Sequence, residues 1–187
     1  MTLSLVTPAD ADNPVVTLAE AKAWCEIAAE ETGRDGMVLT MLLAAIGEVE
    51  GFIGRGLGEQ EWTLTLDALP TARTIELPVV PLISVDAVTY LDEDGAAQSL
   101  DAADYASDLL GNPGRVVMGA DASWPTTFDG PNAVTIEFTA GYTADTLPAP
   151  IKSAVLQLVA QQFDERTSGD MPQGVARLLS PFRRIVI

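Results

Sequence analysis

The chain contains no histidine and a single cysteine, Cys25. Without histidine, the commonest general base and the commonest metal ligand are missing. A histidine-dependent triad is impossible. One cysteine allows no internal disulfide and no cysteine-built zinc site. Cations are also scarce: 10 Lys and Arg stand against 27 Asp and Glu, a net charge of −17. Most of such a surface repels nucleic acid, because binding depends on cations that neutralise phosphates. The longest candidate membrane run, Met37 to Ile46, falls far short of the ~20 residues a span needs. Met1 to Ala11 has no Lys or Arg and no long apolar core, so no secretory signal is expected. Neither a Gly-x-x-x-x-Gly-Lys-Ser/Thr nucleotide loop nor a Gly-x-Ser-x-Gly elbow occurs. These absences predict a soluble, cytosolic chain with no membrane contact and a thin catalytic inventory.

What is present suffices for a folded core. The chain has 187 residues, 48% of them apolar, enough for one domain or one domain with an inserted piece. Charge is uneven along it. Residues 1–60 hold 10 acidic and 3 basic side chains, residues 61–147 hold 14 and 2, and residues 148–187 hold 3 and 5. The C-terminal end is therefore electrostatically distinct. A solvated acidic surface is the plain reading. The sharper one is a protein that lies near DNA without holding it, or docks its basic end on an acidic partner.

The pattern predicts helix, helix, β block, helix, short helix and tail. Thr17 and Glu20 have capping-box spacing, and Leu18, Ala21, Cys25 and Ala28 recur on one face, with Gly33 as the expected stop. A second helix starts near Asp35. Leu39, Leu42, Leu43, Ile46, Val49 and Ile53 mark its apolar positions, and it ends in the Gly54, Gly56, Gly58 cluster. Strands are expected at 61–67, 74–77, 82–91, 97–100, 105–108, 115–118 and 133–139, punctuated by turns such as Gly111-Asn112-Pro113-Gly114. Pro78 and Pro81 brace the approach to the 82–91 strand, and Asp92-Glu93-Asp94-Gly95 closes it. Helix returns at Pro148-Ala149-Pro150-Ile151, where proline costs little, and runs to about Arg166. Ser168 to Pro172 reads as a loop. Val175, Leu178 and Leu179 suggest a last short helix stopped by Pro181. The fold class is thus α+β: a small helical bundle from residues 17–58 and 148–181, with an inserted antiparallel β block at 61–142 and a C-terminal tail at 182–187.

Candidate chemistry is sparse. Asp92-Glu93-Asp94-Gly95 is the best acidic cluster, yet it lacks EF-hand spacing and reads as a solvated turn. Asp101 and Asp104 read as loop residues. Cys25 has no activating base and reads as a buried helical thiol. Trp24, Trp62 and Trp124 are scattered over three segments and suit core or interface packing better than a ligand cage. The tail differs. Phe182, Ile185, Val186 and Ile187 are apolar and strand-like at a chain end, an aggregation hazard if exposed. Either the tail folds back onto the sheet, or it adds as a strand to a partner and sets Arg183 and Arg184 against that partner's acids.

Several blocks, in order, resemble the tailed-phage head–tail connector family, also called adaptors or head-completion proteins, with homologues in gene transfer agents. They are Val16-Thr-Leu-Ala-Glu-Ala-Lys22, Ile46-Gly-Glu-Val-Glu-Gly-Phe-Ile-Gly-Arg55, Leu77-Pro-Val-Val-Pro-Leu-Ile-Ser-Val85 with Val88-Thr-Tyr90 and Asp94-Gly95, Asn132-Ala-Val-Thr-Ile-Glu-Phe-Thr-Ala-Gly-Tyr142, and Pro148-Ala-Pro-Ile-Lys-Ser-Ala154. The resemblance covers nearly the whole chain. It implies a ring, typically of twelve copies, bound beneath the portal protein at the head–tail junction after synthesis in the host cytoplasm. Such a ring extends the DNA channel, through which DNA passes without specific binding, and receives a stopper or tail-terminator protein. It implies no enzymatic activity, cofactor or metal. The tail, Phe182, Arg183, Arg184, Ile185, Val186 and Ile187, would dock into the portal, and its removal is expected to abolish portal binding while leaving the fold intact. Two other readings stand beside this one: a carboxylate- or metal-dependent hydrolase, and a monomeric acidic binding module.

Overall fold

The computed structural model describes residues 1–7, 14–165 and 171–184. Its elements are β1 (Thr2–Thr7), α1 (Leu18–Trp24), α2 (Asp35–Ile53), β2 (Gln60–Leu66), β3 (Thr74–Leu77), β4 (Leu82–Leu91), β5 (Ala97–Ser99), β6 (Tyr105–Asp108), β7 (Gly114–Met118), β8 (Val134–Ala140), α3 (Ala149–Glu165), α4 (Gln173–Leu179) and a 3-10 turn, Ser180–Phe182. Every strand pairing is antiparallel, so the fold is α+β, as the pattern implies. The chain divides into two compact units: Met1–Asp10 with Gly58–Gly141, and Ala11–Leu57 with Tyr142–Ile187. The first holds the described strands and the second the described helices.

The β unit contains a five-stranded sheet, ordered β1-β2-β8-β4-β5, and a three-stranded sheet, β3-β7-β6. Register follows the period-2 alternation of the sequence. Trp62 faces Phe138, Leu64 faces Ile136 and Leu66 faces Val134, while Val88 and Tyr90 face Ile136 and Val134 from the other side. These side chains meet Ile75, Leu77 and Val116 of the second sheet in one core. Fully burying a residue such as Leu64 or Ile136 contributes about 1.5–3 kcal/mol each. β1 is a strand that the sequence reading missed. It pairs with β2 along its whole length and is exposed throughout. The proline-braced approach is as expected, with a cis Val80–Pro81 peptide. The Pro81 carbonyl accepts the Gly141 N–H at 2.8 Å.

In the helical unit, the Thr17 hydroxyl accepts the Glu20 N–H, and the Glu20 carboxylate accepts the Thr17 N–H, completing the capping box. The first helix is shorter than Gly33 would allow. It ends at Trp24, because Glu26 turns left-handed (φ +57) and the Ile27 N–H returns to the Lys22 carbonyl. Lys22 explains the early stop. It is 4% exposed, its ammonium donates to the Ala29 and Glu31 carbonyls, and it pairs with Asp35 at 2.7 Å. The segment between the helices is thus wrapped round one buried cation. α2 buries Val38, Leu42, Ala45, Val49 and Ile53 against α3, whose Ile151, Ala154, Val155, Leu158 and Val159 complete the core. The apolar stretch is longer than Met37–Ile46: α2 is 19 residues with mean hydropathy 1.7, by length and composition enough to cross a membrane. α3 is described to Glu165. The expected end near Arg166, and Ser168 to Asp170 of the expected loop, lie outside the described residues.

Gly141 has φ +126, and a Cβ there would stand 1.8 Å from the Gly58 carbonyl oxygen. Gly141→Ala is expected to cost on the order of 3 kcal/mol or more. A urea melt that leaves the midpoint unchanged would refute that packing.

Candidate functional site

The C-terminal end of α2 is where the tail begins. A helix ends with carbonyls that lack intrahelical donors. Here Gly54 adopts φ +66 and returns its N–H to Glu50 O at 2.8 Å, a left-handed cap that glycine takes without a Cβ penalty. The Glu50 carboxylate then accepts the Leu57 N–H at 2.6 Å. The Ile53 carbonyl accepts the Arg184 N–H at 2.7 Å. Arg55 swings to the same place, its Nε donating to the Phe182 carbonyl at 2.7 Å. The Arg183 guanidinium lies 5.4 Å from the Phe52 ring centroid, a contact worth about 0.5–1 kcal/mol at exposed sites. Three arginines therefore gather at the negative pole of α2, in a chain of net charge −17.

The tail residues named from sequence divide accordingly. Phe182 closes the 3-10 turn and packs on the helical core, Arg183 is extended, and Arg184 bonds to α2. The strand-like reading is wrong for Phe182: Ser180-Pro181 winds it into a turn instead. Ile185, Val186 and Ile187 lie outside the described residues. Removing all six would delete Arg55's acceptor and a packed aromatic, so an intact fold is no longer the expectation for that truncation. Arg55 was missed as a site residue. Its one signal is a cation directly after a glycine cap, and nothing local reveals a partner 127 positions away.

The acidic candidates are structural. The Asp92 carboxylate accepts from the Asp94 and Ala96 N–H groups and from Gln98 Nε2. Gly95 supplies φ +79. Asp101 accepts the Ala103 N–H, and Asp104 donates its N–H to the Asp101 carbonyl. A hollow of about 320 Å³ on the five-stranded sheet is lined by Glu61, Asp86, Glu137, Thr63 and Thr139, among others. Two of its acids are engaged: Asp86 accepts from Ser84 and Thr139, and Glu61 from Thr7. Among the described residues, no three His, Cys, Asp or Glu side chains stand close enough to hold a metal ion. Cys25 packs at the edge of the helical core, and burial, helped by Asp164, pushes its thiol up. Trp62 and Trp124 pack into the β core, with the Trp124 indole N–H on the Ala72 carbonyl. Trp24 ends α1 half exposed.

No protein-family model and no curated protein matches the chain. Solved structures do. The chain is 26% identical over its full length to a chain in the neck of an empty gene transfer agent particle computed with C6 symmetry, at TM-score 0.81 with 97% of that chain covered. Chains in the native gene transfer agent virion and in the native particle's neck computed with C12 symmetry match at TM-scores 0.79 and 0.74, with the same identity and coverage. The resemblance to head–tail connectors, gene transfer agent homologues included, is borne out by these likenesses.

Arg55→Ala removes the donor that holds the Phe182 carbonyl, a loss of about 1 kcal/mol. Hydrogen exchange at the Arg184 amide should quicken about five-fold, while core amides keep their protection. Unchanged Arg184 exchange would show that Arg55 does not anchor the tail. Gln98 and the turn amides hold the Asp92 carboxyl below its ordinary value. Because its folded pKa is depressed, its support of the turn is complete above the ordinary carboxylate range and is lost as pH falls through the lowered value. NMR titration should place the Asp92 midpoint below ~3.9, and Gln98→Ala should raise it. A midpoint insensitive to Gln98→Ala would refute the assignment.

Proposed function

We propose that the chain is a structural neck component at the head–tail junction of a virion-like particle: an adaptor that forms a ring under the portal, extends the DNA channel and joins capsid to tail. The observation that carries this reading is the full-length likeness to chains in gene transfer agent necks. The sixfold and twelvefold symmetry of those necks supports assembly from identical copies around an axis. The charge layout suits the task. Acidic side chains facing a channel repel phosphates, so DNA slides instead of sticking. The arginine-rich tail root supplies the opposite sign, fit for an acidic patch on the portal. In this reading, Phe182 to Arg184 form the rooted base of the docking element, Ile185 to Ile187 its reach, and a stopper or tail terminator binds the ring's other side. The hydrolase alternative has less support, since Asp92 is held in its turn and Asp86 and Glu61 of the sheet hollow accept from hydroxyls.

The test uses purified portal rings and light scattering. The full chain should bind as a multimer. A chain lacking Ile185–Ile187 and carrying Arg183→Glu should bind at least roughly tenfold more weakly, about 1.4 kcal/mol, while its melting temperature stays within a few degrees. Equal binding would remove the tail from the docking role. A full chain that ignores the portal would sink the adaptor reading.

A further inference from the structure

From Gly36 to Gly51, the fully exposed residues of α2 are uncharged, and the two acids of the span, Glu48 and Glu50, are only partly exposed at its flanks. The face runs about 22 Å at 1.5 Å per residue. Its large side chains stand in solvent: Leu43 is 60% exposed, Leu39 44% and Met37 43%. Gly36, Thr40, Ala44, Gly47 and Gly51 fill the rest of the ridge. A Cβ at Gly47 or Gly51 would meet nothing within 4 Å, so the chain's own packing does not require glycine there. Glycine inside a helix is destabilising. Here it lowers the ridge to backbone level, which lets another helix come close.

We propose that this face is the surface by which one copy of the chain packs against a second copy. The inference rests on the ring reading and names the surface that reading requires. Charge selects the occupant. Two chains of −17 repel wherever their acids face each other, so copies meet at least cost on a face whose exposed positions carry no charge, where apolar burial supplies the gain. Nucleic acid would need cations, and this face offers none. A basic partner would be drawn to the acidic surface instead. A bilayer span is opposed by the other side of the same helix: Val38, Leu42, Ala45, Val49 and Ile53 are at most 2% exposed in the helical core.

The experiment follows self-association of the full chain, alone and on purified portal rings, by light scattering. Three versions are compared: wild type, Leu39→Asp with Leu43→Asp, and Gly47→Leu. All three should melt within a few degrees of one another, since the altered positions are exposed. Wild type should assemble more readily as salt screens the repulsion between acidic copies. The aspartate pair should shift assembly to at least roughly tenfold higher concentration, and Gly47→Leu should do so without adding charge. Folded variants that assemble like wild type would overturn the inference and leave the ring reading standing. Wild type that stays monomeric under both conditions would sink the ring reading and this inference with it. Flotation with phosphatidylcholine vesicles, lost in the aspartate variant, would assign the face to lipid and overturn the proposal.

Discussion

Gly54 sets the geometry at the C-terminal end of α2. Its left-handed conformation stops α2 where Ile53 still has a carbonyl to offer, and that carbonyl takes the Arg184 N–H. The reversal also brings Arg55 to the Phe182 carbonyl and Leu57 to the Glu50 carboxylate. Three contacts of very different sequence separation thus hang on one backbone angle. With a Cβ at this position the αL conformation would carry strain. The tail is consequently a segment rooted by one backbone bond and one arginine side chain, with its cations presented at a helix pole that stabilises them.

Charge is the second constraint. With 27 acids against 10 bases, stability must come from burial and from the few cations used well. Lys22 is the clearest case: one buried ammonium satisfies two carbonyls and the Asp35 carboxylate that opens α2. Lys152 ties α3 to the α1 cap through Glu20 at 2.5 Å. The same scarcity makes the arginines round Gly54 conspicuous, since three of the chain's ten cations converge on one helix end.

Much of the β unit was legible in the sequence. β3, β4 and β6 have the expected limits, and β4 shows why: Pro81 and Asp92 bound its run on both sides. β1 escaped because Thr2 to Thr7 is exposed at every position. Only the waiting edge of β2 makes it a strand, and local pattern cannot report a partner more than fifty residues away. α1 escaped in the opposite sense. Its apolar spacing continues past Trp24, but the carbonyls around Lys22 compete with the helix and win. In the candidate site, Arg183 and Arg184 were readable as cations beside apolar tail residues. Arg55 was not, because its role exists only after the chain ends meet.

The apolar pattern of α2 shows what periodicity can and cannot separate. Leu42, Val49 and Ile53 are core, whereas Leu39 and Leu43, read from the same stripe, are 44% and 60% exposed. One helix carries two apolar faces, and among the described residues only one is covered. An apolar face of that length left open to water favours aggregation, which a partner seated on it would prevent. A highly acidic surface elsewhere then has a consequence beyond solubility. In the proposed assembly it disfavours contacts through other faces and so channels association toward α2.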